Sequence, residues 1–187
     1  MRSRWVPAVL ACCLAANGCS GSDKGAPQVL PSLMAPSHPS APTSSSAAPD
    51  TVPSPATQAT PKGAAAFTRF FLGEVNNALV HADSRRLKSF SEAVCETCRS
   101  YEKAADNLRD KGQRIKPAYL NVLSAEAPPE TNGYVFVDVV GSQPTRQKVD
   151  LRGQIVSSFV PVPRFRITVV LHRVAGHWLV RGIQDNK

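Results

Sequence analysis

Cys95-Glu96-Thr97-Cys98 brings two thiols within one turn of chain, and three chemistries compete for them. In an oxidising compartment neighbouring cysteines join, so a structural disulfide is the default reading. Closing so short a loop is worth about 2 kcal/mol at most. The bond would tie the exit of one predicted helix to the start of the next. A redox couple is the second reading, because a thiol at a helix N-terminus has a lowered pKa and attacks better. Glu96 opposes thiolate formation, however, and no predicted strand leads into the motif. Zinc is the third reading and needs two further ligands. His172 and His177 are available, but they lie far beyond compact zinc-module spacing, so no metal is expected.

The other titratable side chains are dispersed. His172 and His177 flank a turn and are expected in solvent, with no Ser or Cys nucleophile motif beside them. Asp138, within Val137-Asp138-Val139, reads either as a raised-pKa acid lining a pocket or as the solvated residue of an alternating strand. Tyr101 and Tyr119 are candidates for the same pocket, with core or rim packing as the alternative. These residues form no catalytic constellation, so no catalytic residue is assigned.

Cys19 carries a different chemistry. Arg2 and Arg4 open the chain, and Trp5 to Ala16 form an apolar core. That core is far shorter than the roughly 20 residues a membrane-spanning helix needs. Leu14-Ala15-Ala16-Asn17-Gly18-Cys19-Ser20 then resembles the lipobox of bacterial lipoproteins. The resemblance implies removal of residues 1–18 as a signal peptide and a diacylglycerol on Cys19, the new N-terminus. Val9-Leu10-Ala11-Cys12 is a better local match, and Cys13 also competes. Cleavage before Cys12 would leave an apolar core of only about seven residues, the lower limit for an export signal. An ordinary signal peptide with Cys19 unmodified is the remaining alternative. Two acyl chains suffice for stable anchoring. The expected location is the extracytoplasmic face of the cell membrane, with the covalent lipid the sole non-protein group and no cofactor.

Residues 19–62 follow as a tether. Pro, Ser, Ala and Thr dominate, and no aromatic residue occurs between Trp5 and Phe67. Such a stretch cannot bury enough apolar area to offset the entropy of ordering it. Fully extended it would reach about 145 Å, and as a coil about 35–40 Å. Its job would be to hold a domain off the membrane.

Residues 63–187 have the composition of one globular domain. Phe67, Phe71, Val75, Ala78 and Leu79 recur at three-and-four spacing and predict a helix over 64–80. A short helix follows Asp83-Ser84 through Leu87 and Phe90, and a third runs from about Glu96 to Lys111 and stops at Gly112. After Pro117 the period switches to two. Strands are expected at 119–124, 134–140, 147–151, 164–173 and 177–183, and residues 153–162 suit an edge or an extended loop. The fold class is α+β, with three N-terminal helices packed on one face of a curved antiparallel sheet.

Three leading helices and a meander ending in Gly176-His177-Trp178 resemble the cone-shaped nuclear transport factor 2-like fold, shared by ketosteroid isomerase. More narrowly, Phe70-Phe71, Asn76-Asn77-Ala78, Ser89-Phe90-Ser91 and Cys95-Glu96-Thr97-Cys98 resemble an uncharacterised family of actinobacterial lipoproteins. The resemblance implies architecture and location only. Ketosteroid isomerase pairs an Asp base with a Tyr and a protonated acid; that set has no counterpart here position by position, so none is carried over.

From Ala64 onward the domain holds 18 Lys/Arg against 12 Asp/Glu, a net of +6. Arg85-Arg86-Leu87-Lys88 and the Arg164/Arg166 strand concentrate it. Such a surface suits anionic lipid heads, an envelope polymer or a protein partner, and ordinary solubility explains it as well. Nucleic acid is not expected, because no aromatic platform interleaves with the basic residues. The sequence therefore predicts a membrane-anchored binding or scaffolding module of the cell envelope. A small-ligand carrier or enzyme using the interior of the cone is the alternative.

Overall fold

Thr60 starts the longest helix. Its backbone is extended and its hydroxyl accepts the Gly63 amide at 3.0 Å, while Pro61, at the first helical position, has no N–H to lose. The structure, a computed structural model, describes residues 51–186; the expected signal peptide, Cys19 and the tether as far as residue 50 lie outside the described residues. Four helices occur among them: α1 (Ser54–Thr57), α2 (Pro61–His81), α3 (Arg85–Lys88) and α4 (Glu96–Asp110). Phe67, Phe71, Leu72, Val75, Ala78 and Leu79 form the buried face of α2. Ala82, in the left-handed region at φ 55°, ends that helix. Gly112, at φ 60°, follows α4 and donates its amide to the Arg109 carbonyl at 2.9 Å.

Three helices are expected from the sequence, and the additional one, α1, falls in a stretch assigned to the tether. Ala56 of α1 is 2% exposed, and the Trp178 indole donates to the Gln58 carbonyl at 3.0 Å. A Cβ on Gly63 would collide with that same carbonyl, so the glycine permits the close approach. Composition says only that this segment has too few apolar residues for a core of its own. It is silent about docking on a surface that other elements supply.

Seven strands follow: β1 (Gln113–Lys116), β2 (Asn121–Glu126), β3 (Tyr134–Gln143), β4 (Arg146–Asp150), β5 (Ile155–Phe159), β6 (Val162–Val174) and β7 (His177–Asp185). They form two antiparallel sheets, β2-β3-β6-β7 and β1-β4-β5, where one curved sheet is expected. β3 runs past residue 140, where the strand is expected to end: it stays with β6 as far as Gln143 opposite Val162. Register shifts beside Gly141 on β3 and between Val122 and Ser124 on β2 bend the sheet there. A side chain at Gly141 would strike the Phe165 ring and the Asn121 carbonyl. Pro144, with no N–H to give, then separates β3 from β4, which pairs elsewhere.

The core lies between α2 and the four-stranded sheet. Val135, Val137 and Val139 alternate inward along β3 and meet Val169 and Leu171 of β6 and Trp178 and Val180 of β7. Between α3 and α2, the half-buried Arg86 forms an ion pair at 2.9 Å with the buried Glu74, its guanidinium 5.9 Å from the Phe70 and Phe90 rings. No helix among the described residues is long and apolar enough to cross a membrane.

Candidate functional site

Cys95 and Cys98 are joined as a disulfide in this structure, and both are fully buried. Cys95 caps α4, its sulfur accepting the Cys98 amide at 3.2 Å. One residue away, the Thr97 hydroxyl donates to the Ile183 carbonyl at 3.3 Å, so this end of α4 is fastened to β7. Bonded to each other, the sulfurs are not thiolate ligands, and no three His, Cys, Asp or Glu among the described residues converge on one point.

Asp138 lines neither of the two clefts beside α4. It points away from the valines that flank it, is exposed, and accepts the Thr168 hydroxyl at 2.7 Å across the outer face of the sheet. Its alternation with buried valines is the reason. His172 departs from the expectation of full solvation: its Nδ1 lies 2.7 Å from Glu92, which Arg181 also contacts at 2.8 Å, and its ring lies 5.0 Å from Tyr134. The bridge of Ser91 to Val180 brings Glu92 there. His177 is exposed.

Two clefts flank α4 and meet at Tyr101. The larger, of about 410 Å³, lies between α4 and the four-stranded sheet, lined by Thr97, Leu120, Gln143, Phe165, Ile167, Ile183 and Asp185. The smaller, of about 250 Å³, lies between α2, α4 and the three-stranded sheet. Leu79, Ala104, Leu108, Ile115, Tyr119 and Phe159 give it apolar walls, and Asn107, Gln113, Lys111 and Lys148 add polar groups. Tyr101 lines both clefts.

Tyr101 and Tyr119 stack edge to face at 5.9 Å. Burial pushes the Tyr101 phenol up to about 12, with Tyr119 and Asp185 adding to the effect. It therefore stays neutral at any physiological pH and can offer a hydrogen to a ligand. Asn76 of α2 holds the wall in place. Its side-chain oxygen accepts the amides of Tyr119 and Leu120 at 3.0 and 2.9 Å, and its nitrogen donates to the Leu120 carbonyl at 2.8 Å. Arg146 closes the same wall, its guanidinium 4.8 Å from the Tyr119 ring and 5.0 Å from the Phe159 ring.

Of the residues singled out from the sequence, Tyr101 and Tyr119 thus share a cleft, and Asp138 lies on the far side of the sheet from it. Sequence reasoning misses Lys111, Lys148, Phe159, Arg146 and Asn76 as neighbours of that cleft. The Asn76-Asn77 pair is visible in the sequence, but the partners of Asn76 lie more than 40 residues away, which no local pattern reveals.

The sequence matches no family model and no curated protein. Among solved structures, the intermembrane space region of the chloroplast protein ARC6 overlays with a TM-score of 0.51 at 10% identity, covering 67% of this chain and 97% of that one. Aln2 from a Streptomyces species matches at TM-score 0.42 and 15% identity, over 64% and 89% of the two chains. A scytalone dehydratase-type protein from Novosphingobium aromaticivorans matches at TM-score 0.43 and 8% identity, over 64% and 82%. At 10% identity the first of these speaks to a shared fold alone, the other two carry no argument, and no residue role is transferred.

Proposed function

We propose that this protein is a lipid-anchored binding module of the cell envelope that holds a small, mainly apolar ligand in the clefts around Tyr101. The observation that carries the reading is the pair of apolar clefts converging on one neutral phenol, the arrangement of few polar groups in apolar walls that small-molecule sites use. Asp138, the acid that an enzyme of this shape would turn inward, faces out. No paired acid and base faces either cleft among the described residues, so the reading is a carrier without chemistry. The anchor rests on the run from Arg2 to Cys19, and the stand-off from the membrane on the Pro/Ser/Ala/Thr-rich stretch after it. The narrower kinship with actinobacterial lipoproteins rests on the Phe70-Phe71 and Cys95–Cys98 marks.

Intact mass spectrometry of the full chain, expressed in an actinobacterial host and purified from membranes, tests both halves. A diacylglycerol-sized increment that survives denaturation and disappears in Cys19→Ser is expected for the anchor. A second increment, present only under native conditions, is expected for the carried ligand. An unmodified N-terminus would remove the anchor, and a bare domain under native conditions would favour a scaffolding role over a carrier.

A further inference from the structure

The smaller cleft differs from the larger in its charge. Lys148 of β4 is half-buried and sits opposite Ile115 on one side and Ser157 on the other, so its side chain shares the face of the three-stranded sheet that turns toward α4. Lys111 reaches the same cleft from the C-terminal end of α4. Neither ammonium has an ion-pair or hydrogen-bond partner among the described residues. Arg146 adds a third positive charge two residues before Lys148, its Nη1 buried without a hydrogen-bond partner among those residues. The acid on this part of β4, Asp150, is engaged in its own turn, accepting the amides of Arg152 and Gln154 at 2.9 and 2.8 Å.

A neutral apolar guest would need none of this. The two lysines have chain-like stems suited to lie along the apolar wall, with their charged ends free at its rim. An anion placed between them would gain charge-assisted hydrogen bonds, while its apolar body met Leu79, Leu108, Ile115 and Phe159. We propose that the cleft between α4 and the three-stranded sheet takes a single-chain amphiphile with an anionic head, its head held by Lys111 and Lys148 and its chain against the apolar wall. The proposal rests on the reading of the clefts as ligand sites and names the chemical class of the ligand.

The test is calorimetric titration of the full chain carrying Cys19→Ser, so that no attached lipid competes. Octanoate and dodecanoate are each compared with the corresponding alcohol, and inorganic phosphate serves as the head without a chain. The acids are expected to bind about tenfold tighter than the alcohols, the value of one charge-assisted hydrogen bond. Lys111→Gln and Lys148→Gln should each remove most of that advantage, so that acid and alcohol then bind nearly alike. Lys148→Arg should retain it, and phosphate alone should not bind measurably. Circular dichroism of each variant verifies that it is folded. Acids and alcohols binding alike, in the parent and in both Gln variants, would overturn the anionic head and leave the ligand cleft standing. Binding of neither would overturn the cleft reading and this proposal together. Lysine-dependent binding to phosphatidylglycerol vesicles without uptake of the free acids would overturn it in favour of surface docking.

Discussion

Along β3, β6 and β7 the four-stranded sheet buries Val135, Val137, Val139, Val169, Leu171, Trp178 and Val180 beneath α2, whereas the three-stranded sheet buries only Ile115 and Val149. The smaller sheet instead leaves Ile155, Val156 and Phe159 of its edge strand exposed, with Leu151 and Val160 beside them at 80% and 81%. Both sheets use antiparallel pairing, so hydrogen bonding does not separate them. Burial does. Each buried aliphatic or aromatic side chain contributes about 1.5–3 kcal/mol, and nearly all of these belong to the larger sheet and its helix. Both sheets wall a cleft beside α4, but only the larger one also makes the core. The same apolar residues that add little to stability at β5 are suited to meeting something else.

That division can be broken by experiment. Phe71→Ala, in the face of α2 covered by the larger sheet, is expected to lose about 3–5 kcal/mol of unfolding free energy in a denaturant titration. A loss below about 1 kcal/mol would mean that the core is elsewhere. A smaller effect is expected at the N-terminal end of α4, which is fastened to β7 of the larger sheet. The double variant Cys95→Ala/Cys98→Ala, compared with the oxidised protein by thermal melting, should lose about 2 kcal/mol and remain folded. Failure to fold would show that the disulfide is needed to seat α4 at all. Least is expected at the edge strand: Ile155→Lys should change stability by no more than about 0.5 kcal/mol. A large loss there would show that the exposed strand is covered in solution.

α2 and α4 are legible because their signal is local. Apolar residues at three-and-four spacing mark α2, Gly112 marks the end of α4, and the Cys95–Cys98 spacing permits a bond whatever surrounds it. The strand alternation is equally legible, and it decides between the two readings of Asp138: with Val137 and Val139 inward, the acid has to face out. The cleft is legible only in its tyrosines. Lys148 meets Ile115 and Tyr119 meets Asn76 because strands and helices distant in sequence pack together, and no residue type announces its partner. The four residues of β1 are too few to show a period, and so the second sheet escapes a local reading.

Taken alone, the amino-acid sequence determined the composition break before the folded domain, the α+β class, the buried face of the main helix and the cysteine pair, because each depends on neighbours within a turn or two of chain. Only the tertiary structure decided that the strands divide into two sheets, that Ser54–Thr57 docks against the domain, and that lysines from α4 and β4 meet over one apolar wall. Those outcomes depend on which surfaces exclude water together, and that is settled by long-range burial and strand pairing, which local periodicity does not encode.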